Sequence, residues 1–521
     1  MTAPSDEGNE KFIAIPLKSN IQKERGMQYH STRGGGETVS AKEAILQGLC
    51  SDGGLFVSDS LPETKLDVLT LCQKTYSDIA LAVFEALLPD YSRQELEESI
   101  ALAYGGKFET EPLTPVTAIG EDWLLELYHG PTAAFKDMAL CMLPQLMSRA
   151  LQGKREKLMV VTATSGDTGK AALSGFQDAK DIGITVFYPE GKVSDIQYLQ
   201  MATQRGENVS VCAVRGNFDD CQSGVKELFA SGTAKALQTE GIPLSSANSI
   251  NVGRLVPQIV YYIDAYGQLF QKGRISLGDP VDFCVPTGNF GDILAGYYAK
   301  LLGLPVRRLI VASNENNVLT DFLTTGTYDR NRSFVKTISP SMDILISSNL
   351  ERMLYYMAEK DSAYVAARMQ ELQEIGRFTV SRELLNKIRA TFDCGYATNE
   401  ASRVAIRKAF EQTGRLIDPH TAVAWKVMQD RKLGDGVPAV ILSTASPYKF
   451  AKDVYLSIFQ KALPQNADGF AYMDALFERS CEPVPASLSR LKGKPILHRD
   501  CIDRSEIGAY VKAQAEAYLK K

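Results

Sequence analysis

The chain has 521 residues, of which 45% are hydrophobic and 23% are charged, and its formal net charge is -5. At roughly 150 residues per domain this length predicts about three domains, and the ordinary composition excludes a disordered or fibrous chain. Because 57 basic residues nearly balance 62 acidic ones, the sequence has no overall positive charge with which to bind nucleic acid or an anionic membrane.

The first 26 residues predict a flexible N-terminal arm. Their apolar run, residues 12–17, is too short for a secretory signal, and their four acidic side chains do not suit a transit peptide. No stretch approaches the roughly 18 to 20 apolar residues that span a bilayer. Nine cysteines without a C-x-x-C pair and only four histidines argue against a metal cluster and predict reduced thiols in a cytoplasmic protein.

Residues 27–110 have mostly helical periodicity, which predicts a mainly helical N-terminal domain. From about residue 155, short β-branched runs alternate with segments of helical spacing, so the sequence predicts an α/β fold with a parallel sheet covered by helices on both faces. Divisions near residues 110, 150 and 250 separate a middle sheet-containing unit from the rest. The predicted strands are 158–164, 184–188, 209–214, 281–285, 309–312 and 437–442.

Small and polar residues follow several of these strands, at the sheet edge where open α/β sheets bind ligands. Thr287 to Asp292 contains two glycines before a helical segment, which favours backbone N–H groups that bind phosphate at a helix N-terminus. A tight turn without a ligand is the alternative. Thr164 to Ala171 resembles a P-loop, but it lacks the first Gly and the final Ser/Thr of that motif, so nucleotide binding is disfavoured.

Lys136 lies among small and apolar residues after a Gly-Pro turn. Partial desolvation would lower its pKa and favour Schiff-base chemistry, whereas a lysine at a helix start with its amine in water is the alternative.

Asn248, Asn251 and Arg254 are three residues apart, which predicts one helical face and either an anion clamp or a solvated polar stripe. Asp418 is typical of a helix cap. Thr444 either ends its strand or hydrogen-bonds a ligand.

Taken together these segments resemble the threonine synthases, which are pyridoxal phosphate (PLP) enzymes of fold type II. Order and spacing agree from about residue 27 to about residue 460. Where many threonine synthases have His-Pro, this chain has Ser446-Pro447. The matching segments are 29–34, 47–55, 129–137, 163–169, 246–254, 286–292, 418–424 and 443–445.

The resemblance implies two open twisted sheets flanked by helices, together with the mainly helical N-terminal domain. It assigns residues 111–150 and 250–521 to a large PLP-binding domain. Residues 151–249 would form a small substrate-binding domain.

The resemblance also implies a role for individual residues. Lys136 would form the internal aldimine with PLP and act as the catalytic base. Gly288, Asn289, Phe290 and Asp292 would form the loop that binds the cofactor phosphate. Thr444 would contact the pyridine nitrogen and Asn248 the ring hydroxyl. Ser165 and Thr168 would bind the substrate carboxylate, and Asn251 and Arg254 the substrate phosphate.

The implied activity is conversion of O-phospho-L-homoserine and water to L-threonine and phosphate by γ-elimination and β-addition, the last step of threonine biosynthesis. This predicts a small-molecule substrate, no nucleic-acid or membrane partner, and a monomer or small homo-oligomer. Two alternatives stay open: a PLP-dependent phospho-lyase that gives a 2-oxo acid, and a PLP-fold binding protein without turnover.

Overall fold

A computed structural model of the chain describes residues 27–229, 231–431 and 436–519. The flexible arm predicted for residues 1–26 lies outside this part. The described strands are β1 (His30–Ser31), β2 (Phe56–Val57), β3 (Val116–Ile119), β4 (Asp122–Glu126), β5 (Leu158–Ala163), β6 (Ile182–Pro189), β7 (Val209–Val214), β8 (Leu244–Ser245), β9 (Val281–Pro286), β10 (Val306–Ser313), β11 (Thr327–Asp329), β12 (Arg377–Thr379), β13 (Phe392–Tyr396), β14 (Ala439–Ser443) and β15 (Asp500–Ile502).

Helices cover most of the remaining described chain. They are α1 (Ala41–Gln47), α2 (Val68–Leu71), α3 (Tyr76–Leu87), α4 (Arg93–Tyr104), α5 (Asp137–Leu140), α6 (Leu143–Leu151), α7 (Asp167–Phe176), α8 (Asp195–Ala202), α9 (Phe218–Phe229), α10 (Gly232–Thr239), α11 (Val252–Gln271), α12 (Gly291–Leu302), α13 (Val318–Thr325), α14 (Leu350–Met357), α15 (Ser362–Glu374), α16 (Arg382–Arg389), α17 (Asn399–Thr413), α18 (Pro419–Arg431), α19 (Ala451–Phe459), α20 (Gly469–Ser480), α21 (Ala486–Ser489) and α22 (Ile507–Leu519).

The N-terminal domain is mainly helical, as predicted. The side chains of Ser40, Thr75 and Ser92 each accept a hydrogen bond from the backbone N–H three residues further on. The acidic side chain at that position in turn accepts a hydrogen bond from the backbone N–H of the Ser or Thr. These reciprocal caps satisfy N–H groups that a helix leaves unpaired, which is why α1, α3 and α4 begin where they do. A two-residue antiparallel pair, β1 with β2, completes the domain.

A six-stranded sheet, called the large sheet, has the strand order β13-β10-β9-β14-β4-β3. All its neighbours are parallel except β3 and β4. β9 and β14 are buried along their whole lengths, because helices cover both faces of a largely parallel sheet. Helix α11, also largely buried, packs against α3 and α12 and so joins the N-terminal domain to this sheet.

A five-stranded parallel sheet, called the small sheet, has the order β15-β7-β6-β5-β8. Its edge strand β15 comes from the far end of the described chain, where Cys501 pairs with Ala213. The prediction that residues 250–521 belong entirely to the large domain is therefore wrong for β15 and α22. Ile507 and Val511 of α22 are buried against the small sheet, and this apolar contact holds the C-terminal segment there.

No helix within the three described ranges is long and apolar enough to cross a membrane. The same ranges contain no group of three or more His, Cys, Asp or Glu side chains able to hold a metal ion.

The docking of α22 can be tested at Ile507, whose side chain is 1% exposed. Ile507→Ala should lower the free energy of unfolding of the small domain by about 2–5 kcal/mol, because it removes buried methyl groups and leaves a cavity. Chemical denaturation followed by limited proteolysis would measure this. Lys512→Ala, an exposed change on the same helix, is the control, and equal stability of the two variants would contradict the docking.

Candidate active site

The strands of both sheets lead into one cavity of about 1270 Å³. It is lined by all but one of the residues proposed from the sequence to bind cofactor or substrate. These are Lys136, Ser165, Thr168, Asn248, Arg254, Gly288, Asn289, Phe290, Asp292 and Thr444. Their roles remain predictions, but the fold brings together segments that are up to about 300 residues apart in sequence.

Lys136 follows β4 and immediately precedes α5. The turn before it is fixed by Asp137, whose carboxylate accepts hydrogen bonds from Thr132 N (2.8 Å) and Thr132 Oγ1 (2.5 Å). Phe135 N donates to Thr444 O (2.8 Å), which ties the lysine to the end of β14. Lys136 is 8% exposed, and burial lowers the pKa of its amine to about 8.

The segment from Gly288 to Asp292 connects β9 to α12. Phe290 has a left-handed backbone (φ 61°), and a Cβ on Gly288 would lie 2.9 Å from Ser341 O, so the loop needs glycine there. Among the described residues, no backbone N–H from Gly288 to Asp292 donates to a protein acceptor. Unpaired N–H groups at the N-terminus of a twelve-residue helix form an anion site.

Asp292 lies in the same loop, but its carboxylate is occupied on one side. Tyr261 and Tyr262 donate to Oδ1 at 2.5 Å and 3.0 Å. Burial raises the pKa of Asp292 to about 6, even though these hydroxyls oppose that rise. Its backbone N–H, not its charge, is therefore the group suited to an anion.

Arg254 is a buried cation that has no counter-ion among the described residues. It is 2% exposed, and burial lowers the pKa of its guanidinium to about 10. One nitrogen donates to Ala247 O (3.0 Å), while Nε has no hydrogen-bond partner and no carboxylate pairs with the group within the described chain. Asn248 Oδ1 beside it is also buried without a partner. Such atoms are costly to bury unless a ligand satisfies them.

Asn251 does not line the cavity, so the prediction that it binds substrate phosphate is wrong. Its side chain is fully buried and donates to Ile45 O (2.9 Å) and Ser246 O (3.1 Å). Its Oδ1 accepts from Gly253 N (2.9 Å) as the cap of α11. Because the helix begins only at Val252, the three residues spaced three apart do not share a helical face.

Ser165 and Thr168 lie at the start of α7, after β5. Thr164 Oγ1 shapes this turn by accepting from Gly166 N and Gly169 N, each at 2.9 Å. Lys170, which would be the P-loop lysine, instead donates to Gln204. The arrangement leaves hydroxyls, and not a lysine, at the start of the helix.

The Thr444 hydroxyl at the end of β14 has no hydrogen-bond partner among the described residues, although its carbonyl is used by the backbone. It is 5% exposed. The hydroxyl is thus available to a ligand in the cavity.

Three residues at the site were not identified from the sequence, or only in part. Asp167 and His420 line the cavity, and Lys449 lies behind it, paired with Asp167. Asp418 caps α18 by accepting from Thr421 N (3.1 Å), as predicted, but it also accepts from His420 Nδ1 (2.6 Å). His420 Nε2 accepts from Ser341 N (3.2 Å), which places the ring proton on Nδ1. Only the position of Asp167 directly after a strand hinted at a site; nothing in the sequence marked Lys449.

Three protein-family models match most of the chain. The family model "Threonine synthase N terminus" matches residues 28–104, "Pyridoxal-phosphate dependent enzyme" matches residues 112–445, and "Threonine synthase, C-terminal" matches residues 421–493. The chain is 36% identical to threonine synthase from Pseudomonas aeruginosa, over 90% of this chain and 100% of that protein. It is 40% identical to human threonine synthase-like 1 over 84% of this chain, and spans 61% of the length of that relative.

Solved structures are similar over nearly the whole chain. PLP-bound threonine synthase from Brucella melitensis has a TM-score of 0.82 at 35% identity, covering 94% of this chain and 99% of that one. Yeast threonine synthase has a TM-score of 0.82 at 34% identity, covering 95% and 99%.

Replacing the two asparagines should have different effects on stability. Asn251→Ala should lower the free energy of unfolding by about 1–3 kcal/mol, because it removes a helix cap and leaves two buried carbonyls unpaired. Asn248→Ala, which removes an atom that has no protein partner, should change it by less than about 0.5 kcal/mol. Thermal and chemical unfolding measure both changes. Equal losses of stability would contradict the role of Asn251 as a cap and of Asn248 as a residue free for a ligand.

Proposed function

The chain belongs to the threonine synthase family of pyridoxal-phosphate dependent enzymes, and we propose that it is a lyase that converts O-phospho-L-homoserine and water to L-threonine and phosphate. The observation that carries the proposal is the presence of two anion sites and one buried amine in a single cavity. One anion site is the N-terminus of α12, and the other is the Arg254 guanidinium. A phosphorylated cofactor and a phosphorylated substrate together require two such sites.

PLP is the cofactor of this family, and the cavity residues fit it. The free N–H groups from Gly288 to Asp292 would hold its phosphate. Lys136 Nζ would hold its aldehyde carbon, the Thr444 hydroxyl would hydrogen-bond its ring nitrogen, and the unpartnered Asn248 Oδ1 would accept from its ring hydroxyl. When bound, PLP supplies an electron sink that makes the α- and β-protons of an attached amino acid removable.

The remaining cavity groups suit the two ends of the substrate. Ser165 and Thr168 would donate to the α-carboxylate at the start of α7, where the helix dipole also favours negative charge. Arg254 would hold the phosphate that leaves, because its unpaired Nε and its charge make a charge-assisted hydrogen bond possible. Asn251 has no part in binding, since its amide is used within the protein.

Lys136 is suited to accept and return protons. With a pKa of about 8, roughly one amine in ten is neutral at pH 7, against fewer than about one in a thousand for an ordinary lysine. A neutral amine can take a proton from carbon at Nζ and deliver it to a neighbouring carbon. Because the residue is only 8% exposed, little water can reach the amine to compete for that proton.

The proposal is tested by incubating the PLP-loaded protein with O-phosphohomoserine while measuring phosphate and threonine. Equal amounts of the two products support it. Phosphate with 2-oxobutyrate in place of threonine would indicate the phospho-lyase, which uses the same lysine and anion sites. No phosphate release from fully loaded protein would indicate a binding protein.

Lys136→Ala should abolish the visible absorbance of the loaded protein and lower turnover by at least about 100-fold, because the variant can neither attach the cofactor nor move the proton. Absorption spectra and phosphate release measure the two effects. Lys170→Ala, which changes a partly buried lysine that does not line the cavity, is the control. Retained absorbance and turnover in the Lys136 variant would remove the assignment.

Arg254→Gln should raise the KM for O-phosphohomoserine and lower kcat/KM by roughly 10- to 150-fold, the effect of losing one charge-assisted hydrogen bond of about 1.5–3 kcal/mol. Arg330→Gln is the matched control: Arg330 lines the same cavity, but its guanidinium donates to Gln373 O (3.0 Å). Initial rates across substrate concentrations give both constants. An unchanged KM in the Arg254 variant would place the substrate phosphate elsewhere.

A further inference from the structure

Asp167 is a buried carboxylate whose two oxygens have different partners. Oδ1 accepts from Lys449 Nζ (2.7 Å) and Gln197 Nε2 (2.9 Å). Oδ2 lies 3.9 Å from Lys136 Nζ and accepts from Ser341 Oγ (3.3 Å). The side chain of Asp167 is 2% exposed and that of Lys449 is 0% exposed, so solvent does not screen these contacts.

These contacts join the two sheets. Asp167 is in the first turn of α7, which follows β5 of the small sheet. Lys449 lies in a short 3-10 turn, Pro447–Phe450, which follows β14 of the large sheet. Lys449 Nζ also donates to Thr132 O (3.0 Å), and Gln200 of α8 donates to the same carbonyl (3.2 Å). The ion pair therefore lies in a buried polar seam between the two domains.

The charges do not balance within this group, since two ammonium groups share one carboxylate. Although burial alone would raise the pKa of Asp167, Lys449 and Lys136 hold it well below its ordinary value, so the carboxylate is ionised. Lys449, at hydrogen-bond distance, takes the larger share of that negative charge. The charge of Lys136 is therefore only partly compensated by Asp167.

Four charged groups act on the Lys136 amine besides its burial. Asp167 and Asp292 favour its protonated form, while Arg254 and Lys449 disfavour it. Asp167 has the strongest influence of the four, and it alone reaches Lys136 from the small domain.

We propose that Asp167 is a positioning residue that acts through Lys136: Lys449 and Gln197 anchor its Oδ1, and its Oδ2 is the counter-ion of the Lys136 amine across the domain boundary. This inference rests on the proposed role of Lys136 in holding the cofactor. It makes the proton affinity of that amine depend on the contact between the two domains. Because Lys449 lies closer to the Asp167 carboxylate, it weakens the interaction of Asp167 with the Lys136 amine.

The test compares Asp167→Asn with Lys449→Met in the full-length, cofactor-free protein. Trace acetylation at a series of pH values, followed by mass mapping of the Lys136 peptide, gives the pH midpoint of the amine. Asp167→Asn should lower that midpoint by about 1–3 pH units because it removes an opposite charge within 4 Å. Lys449→Met should raise it, because Asp167 then has Lys136 as its remaining cationic partner in the described structure.

The opposite directions separate this role from a structural one. If the variants merely loosened the site, water would reach Lys136 and both midpoints would move up toward about 10.4, the ordinary lysine value. Lys170→Met is the control for removal of another lysine that is at least partly buried, and it should leave the midpoint unchanged. An unchanged or raised midpoint in Asp167→Asn would overturn the inference.

A double variant gives a second measurement in case one of the single substitutions disturbs folding. Asp167→Asn combined with Lys449→Met leaves neither member of the ion pair charged, and its midpoint should lie below the wild-type value because Asp167 influences Lys136 more than Lys449 does. A midpoint at or above the wild-type value would contradict the proposal. In cofactor-loaded protein, the pH at which the visible absorbance changes should move in the same directions. The acetylation result does not depend on which product is formed, so it stands or falls separately from the proposed reaction.

Discussion

The site depends on holding cations out of water without neutralising them. Burial disfavours a charged amine or guanidinium, and a protein normally answers with a carboxylate at close range. Lys136 has only a distant share of one carboxylate, and Arg254 has none within the described residues. Neither group is therefore fully partnered within the described protein, and both are available to a ligand in the cavity, either an anion or an aldehyde.

This constraint explains why the cavity lies between two sheets. Each sheet contributes strand ends with backbone donors and hydroxyls, while charged side chains from one domain reach the other. The free N–H groups near Gly288 belong to the large sheet, and Ser165 and Thr168 belong to the small one. Lys136 belongs to the large domain, whereas Asp167, whose carboxylate lies 3.9 Å from the Lys136 amine, belongs to the small one.

The sequence predicted features that have a local signature. Every strand proposed between residues 158 and 442 is present, with ends shifted by at most about three residues, because β-branched runs between turn residues are a strong signal. Lys136 and the Gly288 segment were found because small residues and glycines surround them. The family resemblance added the roles, and the structure removed one of them, that of Asn251.

The features that the sequence did not predict are those that depend on contacts between distant segments. The spacing of Asn251 fits a helical face, but its position one residue before the helix turns it into a cap. Lys449 is an unremarked lysine after a proline, and only the packing of both domains shows that it is buried. Strand β15 has three residues, too few for a periodic pattern to reveal it.

Strand β15 also has a consequence for the order in which the chain acquires its structure on the ribosome. The other four strands of its sheet are translated by residue 245, yet the edge that covers β7 is about 255 residues further on. At about 5–20 residues per second, that interval lasts roughly 13 to 50 seconds. During it, β7 lacks the strand that pairs with its edge, and an unpaired strand edge can pair with another chain, so the nascent chain is exposed to aggregation until β15 emerges.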